Sequence, residues 1–236
     1  MIKYKKVLVK LSGESLMGNG EHGIEPDSLM RFALELKSIA DLGVKVGVVI
    51  GGGNIFRGLK GVDKGFDRVK GDYMGMMATV INGLAMQSAL ESLGLNCRLL
   101  TAIRMEPVGQ GYSKHLVNEA FENGEVVIFS AGTGNPFFTT DTAAALRAVE
   151  IGAELLIKGT RVDGIYSADP EKVPDAVKYD EITYGEAYNK GLKIMDLTAF
   201  TLCSENELNM LVFDINQTGN LKKIILGERI GTFVKN

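Results

Sequence analysis

Three glycine-containing turns, each preceded by an apolar run, are the part of this sequence best suited to bind a charged ligand. The segments are VLVKLSGE at residues 7–14, VGVVIGGGN at residues 46–54 and VVIFSAGTGN at residues 126–135. Glycine has no Cβ, so backbone N–H groups in such turns can approach an anion closely, and a following helix adds positive charge at its N-terminus. One such turn is more often only a change of chain direction. Three together predict a site for phosphate groups.

Two lysines, Lys10 and Lys158, occupy the last positions of predicted buried strands. An ammonium group about 4 Å from a phosphate oxygen contributes about 4 kcal/mol at an effective dielectric constant of about 20. The pair could therefore stabilise charge that moves from a phosphate donor to its leaving group. The alternative for each is a strand-end lysine that extends its amino group into solvent.

Four further charged residues are candidates for chemistry at the same place. Arg57 follows GGGN and could bind a phosphate with two parallel hydrogen bonds, or be a solvated loop residue. Asp72, Asp141 and Asp196 lie near predicted helix starts, where a carboxylate can serve for capping alone.

The predicted elements place these residues at one edge of a sheet. Strands without regular polar alternation, separated by helices, predict a mostly parallel sheet covered on both faces, which is α/β architecture. Ligands of such sheets bind outside the carboxyl ends of the strands. We predict strands Val7–Lys10, Val44–Ile50, Arg98–Thr101, Val126–Ser130, Leu155–Lys158 and Met210–Asp214, helices Asp27–Leu42, Gly75–Leu93, Ser113–Asn123, Thr140–Ile151 and Gly219–Gly227, surface loops Gly58–Asp72 and Val162–Asp180, and a single domain over residues 1–236.

Composition argues against several classes of protein. The formal net charge of −3 lacks the surplus of Lys and Arg that nucleic-acid binding requires. No run approaches about 18 apolar residues, and Lys10 and Glu14 interrupt the first apolar run too early for a signal peptide, so we expect no membrane span and a cytoplasmic location. Cys97 and Cys203 have no CxxC partner, which predicts two buried, small apolar residues.

Familiar nucleotide-binding motifs do not fit. GTGNPF has the first two glycines of GxGxxG but Phe137 in the third place, and GGGNIF ends in Phe56. The motifs GxxxxGK[ST], HRD and DFG are absent from the sequence. If this is a phosphoryl-transfer enzyme, it belongs to another class.

The sequence resembles the bacterial uridylate kinase family, within the amino acid kinase superfamily, over essentially its whole length. The resemblance implies a three-layer α/β/α sandwich and transfer of the ATP γ-phosphoryl group to UMP, with Mg²⁺ that accompanies ATP and is not held by the protein alone. It also implies that the N-terminal part mainly binds UMP and the C-terminal part mainly binds ATP. The matching stretches are KLSGESL at 10–16, GVVIGGGNIFRG at 47–58, GDYMGMMATVINGLAM at 71–86, SAGTGNPFFTTDTAA at 130–144, VDGIYSADP at 162–170 and MDLTAFTL at 195–202.

Roles for individual residues follow from the resemblance. Lys10 and Mg²⁺ would stabilise the transferring group, Arg57 would orient the acceptor phosphate, and Asp141 and Asp196 would hold lysine, metal-bound water or backbone in place. The catalytic set is thus Lys10, Arg57, Asp141 and Asp196; the residues near ATP would be Lys10, Leu11, Ser12, Gly13, Gly53, Arg57, Lys158, Thr160, Tyr166 and Asp169; those near UMP would be Gly52, Asp72, Thr133, Gly134, Asn135, Pro136, Phe137, Phe138, Thr139 and Thr140.

Regulation and assembly are also implied by the resemblance. Family members are homohexamers, activated by GTP and inhibited by UTP. The segment linked to GTP activation comprises Gly18, Asn19, Gly20, Glu21, His22 and Gly23. Gln87, Glu91 and Glu125 make the wider effector region less basic than a triphosphate site would require.

Two alternatives remain at the level of sequence. A relative that phosphorylates a carboxylate or carbamate would leave the FFTT segment and Asp72 without a task, since those substrates lack a base and a ribose. A nucleotide-sensing module without catalysis would not need Lys10, Asp141 and Asp196.

Overall fold

A nine-stranded sheet, described by a computed structural model that covers residues 1–56 and 67–236, forms the centre of the molecule. Its order is β4-β3-β5-β2-β1-β6-β10-β11-β9, and every pairing in it is parallel except β10 with β11. The strands are β1 Lys6–Leu11, β2 Lys45–Ile50, β3 Cys97–Thr101, β4 Gln110–Gly111, β5 Val126–Ser130, β6 Leu155–Thr160, β9 Glu181–Thr183, β10 Met210–Asp214 and β11 Thr232–Lys235; β7 Ile165–Tyr166 and β8 Lys178–Tyr179 pair separately.

Helices cover both faces of this sheet, which confirms the predicted three-layer sandwich. Alternate residues of β1 separate the two cores: Val7 and Val9 pack with α1, α2 and α7, whereas Leu8 packs with α3, α4, α5 and α6. The helices are α1 Pro26–Ala40, α2 Arg68–Ser92, α3 Lys114–Glu122, α4 Thr140–Ile151, α5 Tyr184–Asn189, α6 Leu197–Glu205 and α7 Asn220–Ile225, and Gly13–Met17 forms a 3-10 helix.

Strand β1 lies at the point where the topology changes direction. From β1 the chain moves to β2 on one side, and after β5 it crosses to β6 on the other side. In an open α/β sheet the crevice for a ligand forms at such a point, outside the carboxyl ends of the strands. Lys10 and the turn after it lie at this end of β1.

Both predicted surface loops differ in part from the structure, and residues 58–66 of the first loop lie outside the described residues. Helix α2 begins at Arg68, with Asp67 as its N-cap, so the last residues of the predicted loop Gly58–Asp72 are helical and the helix starts before Gly75. The four glycines of that loop concealed the helical start. The predicted loop Val162–Asp180 contains the antiparallel pair β7–β8.

The cysteine predictions have different outcomes. Cys203 is buried in α6 as predicted, but Cys97 is partly exposed at the start of β3. In the described part of the chain, every helix is too short or too polar to span a bilayer.

Candidate active site

Two lysines hold one carboxylate between them at the carboxyl edge of the sheet. Lys10 Nζ lies 2.7 Å from Asp141 Oδ1, and Lys158 Nζ lies 2.6 Å from Asp141 Oδ2. The side chains are largely buried, with 12% exposure for each lysine and 17% for the aspartate. Because two ammonium groups share one carboxylate, this cluster retains positive charge for an anionic ligand. We call it the lysine pair and its aspartate.

The register of the sheet explains why these residues meet. Lys10 of β1 and Lys158 of β6 are direct neighbours in the parallel pairing. Leu8 and Leu156, two positions earlier in each strand, face α3–α6, so both lysines project to the same side of the sheet. Asp141 lies in the first turn of α4 on that side.

Burial and charge act in opposite directions on the aspartate. Burial alone would raise the pKa of Asp141, but the ammonium charges of Lys10 and Lys158 outweigh it and hold the pKa below its ordinary value. For Lys158, burial lowers the pKa, with a further lowering from Lys10 and an opposing effect from Asp141. The carboxylate therefore stays ionised at neutral pH.

Two helix starts meet beside this cluster. Thr139 is the N-cap of α4, and Asp196 is the N-cap of α6. The Thr139 hydroxyl donates to Asp196 Oδ2 at 2.5 Å, and the Thr142 hydroxyl donates to Asp196 Oδ1 at 3.0 Å. Asp196 thus caps one helix and binds the first turn of another, which is more than the capping role that the sequence analysis gave as the alternative to a role in chemistry.

A small cavity opens on the α2 side of the cluster; we call it the first cavity. It has a volume of about 130 Å³ and brings together residues that the sequence analysis assigned to UMP, although Gly53, which also lines it, was assigned to ATP. Thr140, the neighbour of Asp141, is part of its wall. The predicted residues that line it are Gly52, Gly53, Asp72, Thr133, Phe138, Thr139 and Thr140.

One aspartate ties the loop beside this cavity to α2. Arg68 Nε donates to Asp72 Oδ1 at 3.0 Å and Oδ2 at 2.9 Å, and the Phe137 N–H donates to Asp72 Oδ2 at 2.8 Å. The Arg68 guanidinium also lies 5.6 Å from the centre of the Phe137 ring. Phe137 has a φ of +71°, a conformation that is strained for a bulky residue, so these contacts hold the loop in an otherwise unfavourable shape.

In two of the glycine turns, Gly13 and Gly52 are packed too tightly for a larger residue. A Cβ on Gly13 would lie 2.3 Å from the carbonyl oxygen of Gly51, and a Cβ on Gly52 would lie 2.8 Å from the Gly75 oxygen of α2. Two of the three predicted turns therefore touch, and the second also lies against α2. This contact brings the ends of β1 and β2 into one crevice.

A larger cavity, the second cavity, lies on the other side of the cluster. It has a volume of about 560 Å³ and is lined by the predicted ATP residues Thr160, Tyr166 and Asp169, together with Lys193 and Ile194. The Ile194 carbonyl accepts a hydrogen bond of 2.6 Å from Lys158 Nζ. The lysine pair and its aspartate therefore lie between the two cavities.

Other predicted residues lie apart from both cavities. Leu11 is buried in the core, so only its backbone can face a ligand. Phe137 is 65% exposed, in the loop that also carries Gly134, Asn135 and Pro136. Arg57 lies outside the described residues. Ser12 directly precedes the 3-10 helix.

The GTP-linked segment lies elsewhere and borders a separate surface cavity through Gly18, Asn19 and Gly20. Glu21 and His22 are exposed, and Gly23 is hydrogen-bonded to Asn54.

The sequence analysis missed several residues that shape the site. Arg68 was assigned to a loop; its spacing of four residues before Asp72 would have indicated the ion pair if the helix start at Asp67 had been identified. Thr142 was treated only as part of a helix. Met76 and Thr79, which line the first cavity, were treated only as part of the predicted helix Gly75–Leu93.

Comparison with known proteins gives consistent results. Residues 5–214 match the amino acid kinase family. The chain is 61% identical over 236 residues to the uridylate kinase of Phocaeicola vulgatus, covering 100% of both chains.

Solved structures agree with the sequence comparison. The structure of UMP kinase from Bacillus anthracis superposes with a TM-score of 0.95 at 35% identity, covering 98% of this chain and 96% of the other. UMP kinase from Ureaplasma parvum superposes with a TM-score of 0.93 at 37% identity, covering 100% of both chains.

Proposed function

The chain belongs to the amino acid kinase family, and within it to the uridylate kinases, and from this premise we propose that it transfers the γ-phosphoryl group of ATP to UMP, giving UDP and ADP. UMP occupies the first cavity, mainly from the N-terminal part of the chain, and ATP extends from the lysine pair into the second cavity. The whole chain acts as a single domain.

One observation carries this proposal: the lysine pair and its aspartate lie between two cavities of unequal size. Thr140 joins Asp141 to the wall of the first cavity, and Ile194 joins Lys158 to the wall of the second. A phosphate donor and a phosphate acceptor bound on the two sides would present their terminal phosphates to the same ammonium groups.

The reaction depends on alignment and charge. Phosphoryl transfer needs stabilisation of charge on the equatorial oxygens of the moving group, and Lys10 is placed to provide it. Asp141 fixes the direction of both lysine side chains, and Asp196 fixes the starts of α4 and α6 through Thr139 and Thr142. The acceptor oxygen of UMP is already largely ionised at pH 7, so no general base is required. Arg57 keeps its predicted role in orienting the acceptor phosphate.

The magnesium ion fits as a companion of ATP. Both oxygens of Asp141 face lysines, and those of Asp196 accept from Thr139, Thr142 and Ala199. Among the described residues, no three His, Cys, Asp or Glu side chains are grouped to hold a metal ion. When bound, Mg²⁺ supplies charge neutralisation on the ATP phosphates.

One face of α2 supports assembly into a homohexamer. Val69, Tyr73, Ile81 and Leu84 are exposed apolar residues that share one side of this helix, while its opposite side is buried in the core. A helix that is apolar all round is normally covered on all sides. A second copy of the chain is the occupant that the resemblance predicts, and we place the subunit contact on this face.

Regulation by nucleotides would require cationic side chains that can hold a triphosphate. Arg98 lies in the region where a triphosphate effector would need cations, but it is 2.7 Å from Glu125 and 3.2 Å from Glu119. Gln87 and Glu91 bind each other there. GTP activation and UTP inhibition stay predictions from the resemblance. We place the reaction in the cytoplasm, where both of its substrates occur.

Measurement of ADP release tests the proposed function. With Mg·ATP present, we expect rapid turnover with UMP, much slower turnover with CMP and none with N-acetylglutamate. Faster release with N-acetylglutamate would support a carboxylate kinase. Tight UMP binding in calorimetry without UDP formation would support a sensor and refute the kinase.

A further inference from the structure

Two asparagine side chains, Asn54 and Asn82, form a reciprocal pair in the interior. Asn54 is 2% exposed and Asn82 is 0% exposed. Asn54 Nδ2 donates to Asn82 Oδ1 at 3.0 Å, and Asn82 Nδ2 donates to Asn54 Oδ1 at 2.7 Å. Buried amides with this double bond fix each other's orientation. We call them the asparagine pair.

The remaining hydrogen bonds of the pair join three separate segments. Asn82, in the middle of α2, donates to the Gly51 carbonyl at 2.7 Å. Asn54 donates to the Gly23 carbonyl at 2.9 Å, and the Gly23 N–H donates back to the Asn54 carbonyl at 2.8 Å. Helix α2, the turn at residues 51–54 and the segment at residues 18–23 therefore meet at this one place.

The turn that the pair holds belongs to the site. Gly52 and Gly53 line the first cavity. On the other side, Gly13 at the end of β1 lies so close that a Cβ there would be 2.5 Å from Asn54 Oδ1. A change in the position of the Asn54 amide would thus move the turn against the residues that follow Lys10.

Only amides satisfy all of these bonds at once. Each side chain must accept once and donate twice. A carboxylate has no donor when ionised, so an aspartate at position 82 would face both the Asn54 oxygen and the Gly51 carbonyl without a proton to share. An apolar residue would leave the same carbonyl unpaired.

We propose that Asn54 and Asn82 are positioning residues for phosphoryl transfer, which set the glycine turn at residues 51–53 and link it to the segment at residues 18–23. This inference rests on the proposed function, since turnover is one of its two readouts. The second readout, amide hydrogen exchange, is independent of the reaction. The pair acts through backbone and contacts no reacting atom itself.

The test compares Asn82→Asp with two controls. Asn96→Asp makes the same chemical change at an exposed position, and Leu221→Ala lowers stability from the buried face of α7. We expect Asn82→Asp to lower kcat/KM for UMP by about 100-fold, because a misplacement of about 1 Å costs that much. Asn96→Asp should stay within about twofold of wild type.

Hydrogen exchange tests the link directly. In Asn82→Asp, the amides of residues 18–23 and 51–54 should exchange at least tenfold faster than in Leu221→Ala, which has no bond to either segment. Asn82→Ala is the second variant if Asn82→Asp does not fold. We expect the same increase in exchange in this variant, and a loss of kcat/KM of about 10-fold instead of about 100-fold.

Two outcomes overturn the inference. One is a loss of kcat/KM in Leu221→Ala equal to that of Asn82→Asp when the two have the same melting temperature. The other is unchanged exchange at residues 18–23 in both Asn82 variants. Wild-type protein that forms no UDP would refute the proposed function instead, and the exchange experiment would still decide the structural link.

Discussion

The first and second cavities differ in how their walls are held, although both adjoin the lysine pair and its aspartate. The first has about 130 Å³, and its loop is bound to α2 through Asp72, while Thr79 receives the Ala131 N–H at 2.8 Å. The second has about 560 Å³ and is bordered by the short β7–β8 pair. If the acceptor binds in the first cavity and the donor in the second, as we propose, this difference predicts that the acceptor is selected by fixed walls, whereas the donor is held mainly through its phosphates.

The largest expected effect removes the centre that both cavities share. Lys10→Met should lower kcat by about 100- to 1000-fold with little change in KM for either substrate, because the ammonium acts mainly on charge that develops in the transition state. Steady-state kinetics with each substrate varied in turn gives the measurement. Lys37→Met, at a surface ion pair, is the control. An unchanged kcat would show that the reaction does not depend on the Lys10 ammonium group.

The next effect concerns stability and its dependence on pH. Asp141→Asn leaves two largely buried ammonium groups without their partner, so we expect unfolding to cost about 3 kcal/mol less at pH 7. Because the folded pKa of Asp141 is lowered, its contribution is present above the unfolded value near 4 and is lost as the pH falls through the folded value. The wild-type and variant stabilities should therefore converge in acid.

Urea unfolding at several pH values between 7 and 2 measures this convergence. Asp41→Asn, which removes a surface pair with Lys37, should change stability by less than about 1 kcal/mol at every pH. A constant difference between Asp141→Asn and wild type over the whole range would contradict the assignment of the effect to this carboxylate.

A smaller effect should be confined to the first cavity. Asp72→Asn keeps the shape of the side chain but weakens its bonds to Arg68 and to the Phe137 N–H, so we expect KM for UMP to rise about 10- to 30-fold while KM for ATP stays within twofold. Calorimetry of UMP binding to both proteins checks this change. An equal loss of affinity for UMP and for ATP would contradict the assignment of Asp72 to the first cavity alone.

The smallest effect should be confined to the second cavity. Tyr166→Ala removes a ring from its wall, and we expect KM for ATP to rise about fivefold with KM for UMP unchanged. Tyr166→Phe removes only the hydroxyl that donates to Asp163 at 2.6 Å and should resemble wild type. Tyr188→Ala, an exposed tyrosine on α5, is the control. A rise in KM for ATP in Tyr166→Phe as large as that in Tyr166→Ala would assign the effect to the hydroxyl and not to the ring.

The residues around the two cavities also show what can be predicted from the sequence. The mostly parallel sheet covered on both faces followed from apolar runs that alternate with helical spacing, and the lysines at strand ends were identified because a charged residue closing a buried strand is unusual. The position of their shared partner, Asp141, was harder to predict. Asp141 was assigned to the site, but its place between Lys10 and Lys158 depends on the order of β1 and β6 in the sheet, which local patterns do not contain.

Contacts between distant segments account for the rest. The bond from Phe137 to Asp72 and the reciprocal bond of Asn54 with Asn82 each join residues that are far apart in the chain. Asparagine and arginine are common on surfaces, so neither residue type signals such a role before the fold is known. The start of α2 was missed for a different reason: glycine content was given more weight than the N-cap at Asp67.

The position of β1 between β2 and β6 has a consequence for the chain as it leaves the ribosome. Strand β2 follows β1 closely and can pair with one side of it early in synthesis, but the other side stays open until β6 has been translated. Until then, the nascent chain exposes an unpaired edge of β1. Unpaired strand edges favour incorrect pairing and chaperone binding. Catalytic competence is accordingly acquired late, when the second lysine-bearing strand closes that edge.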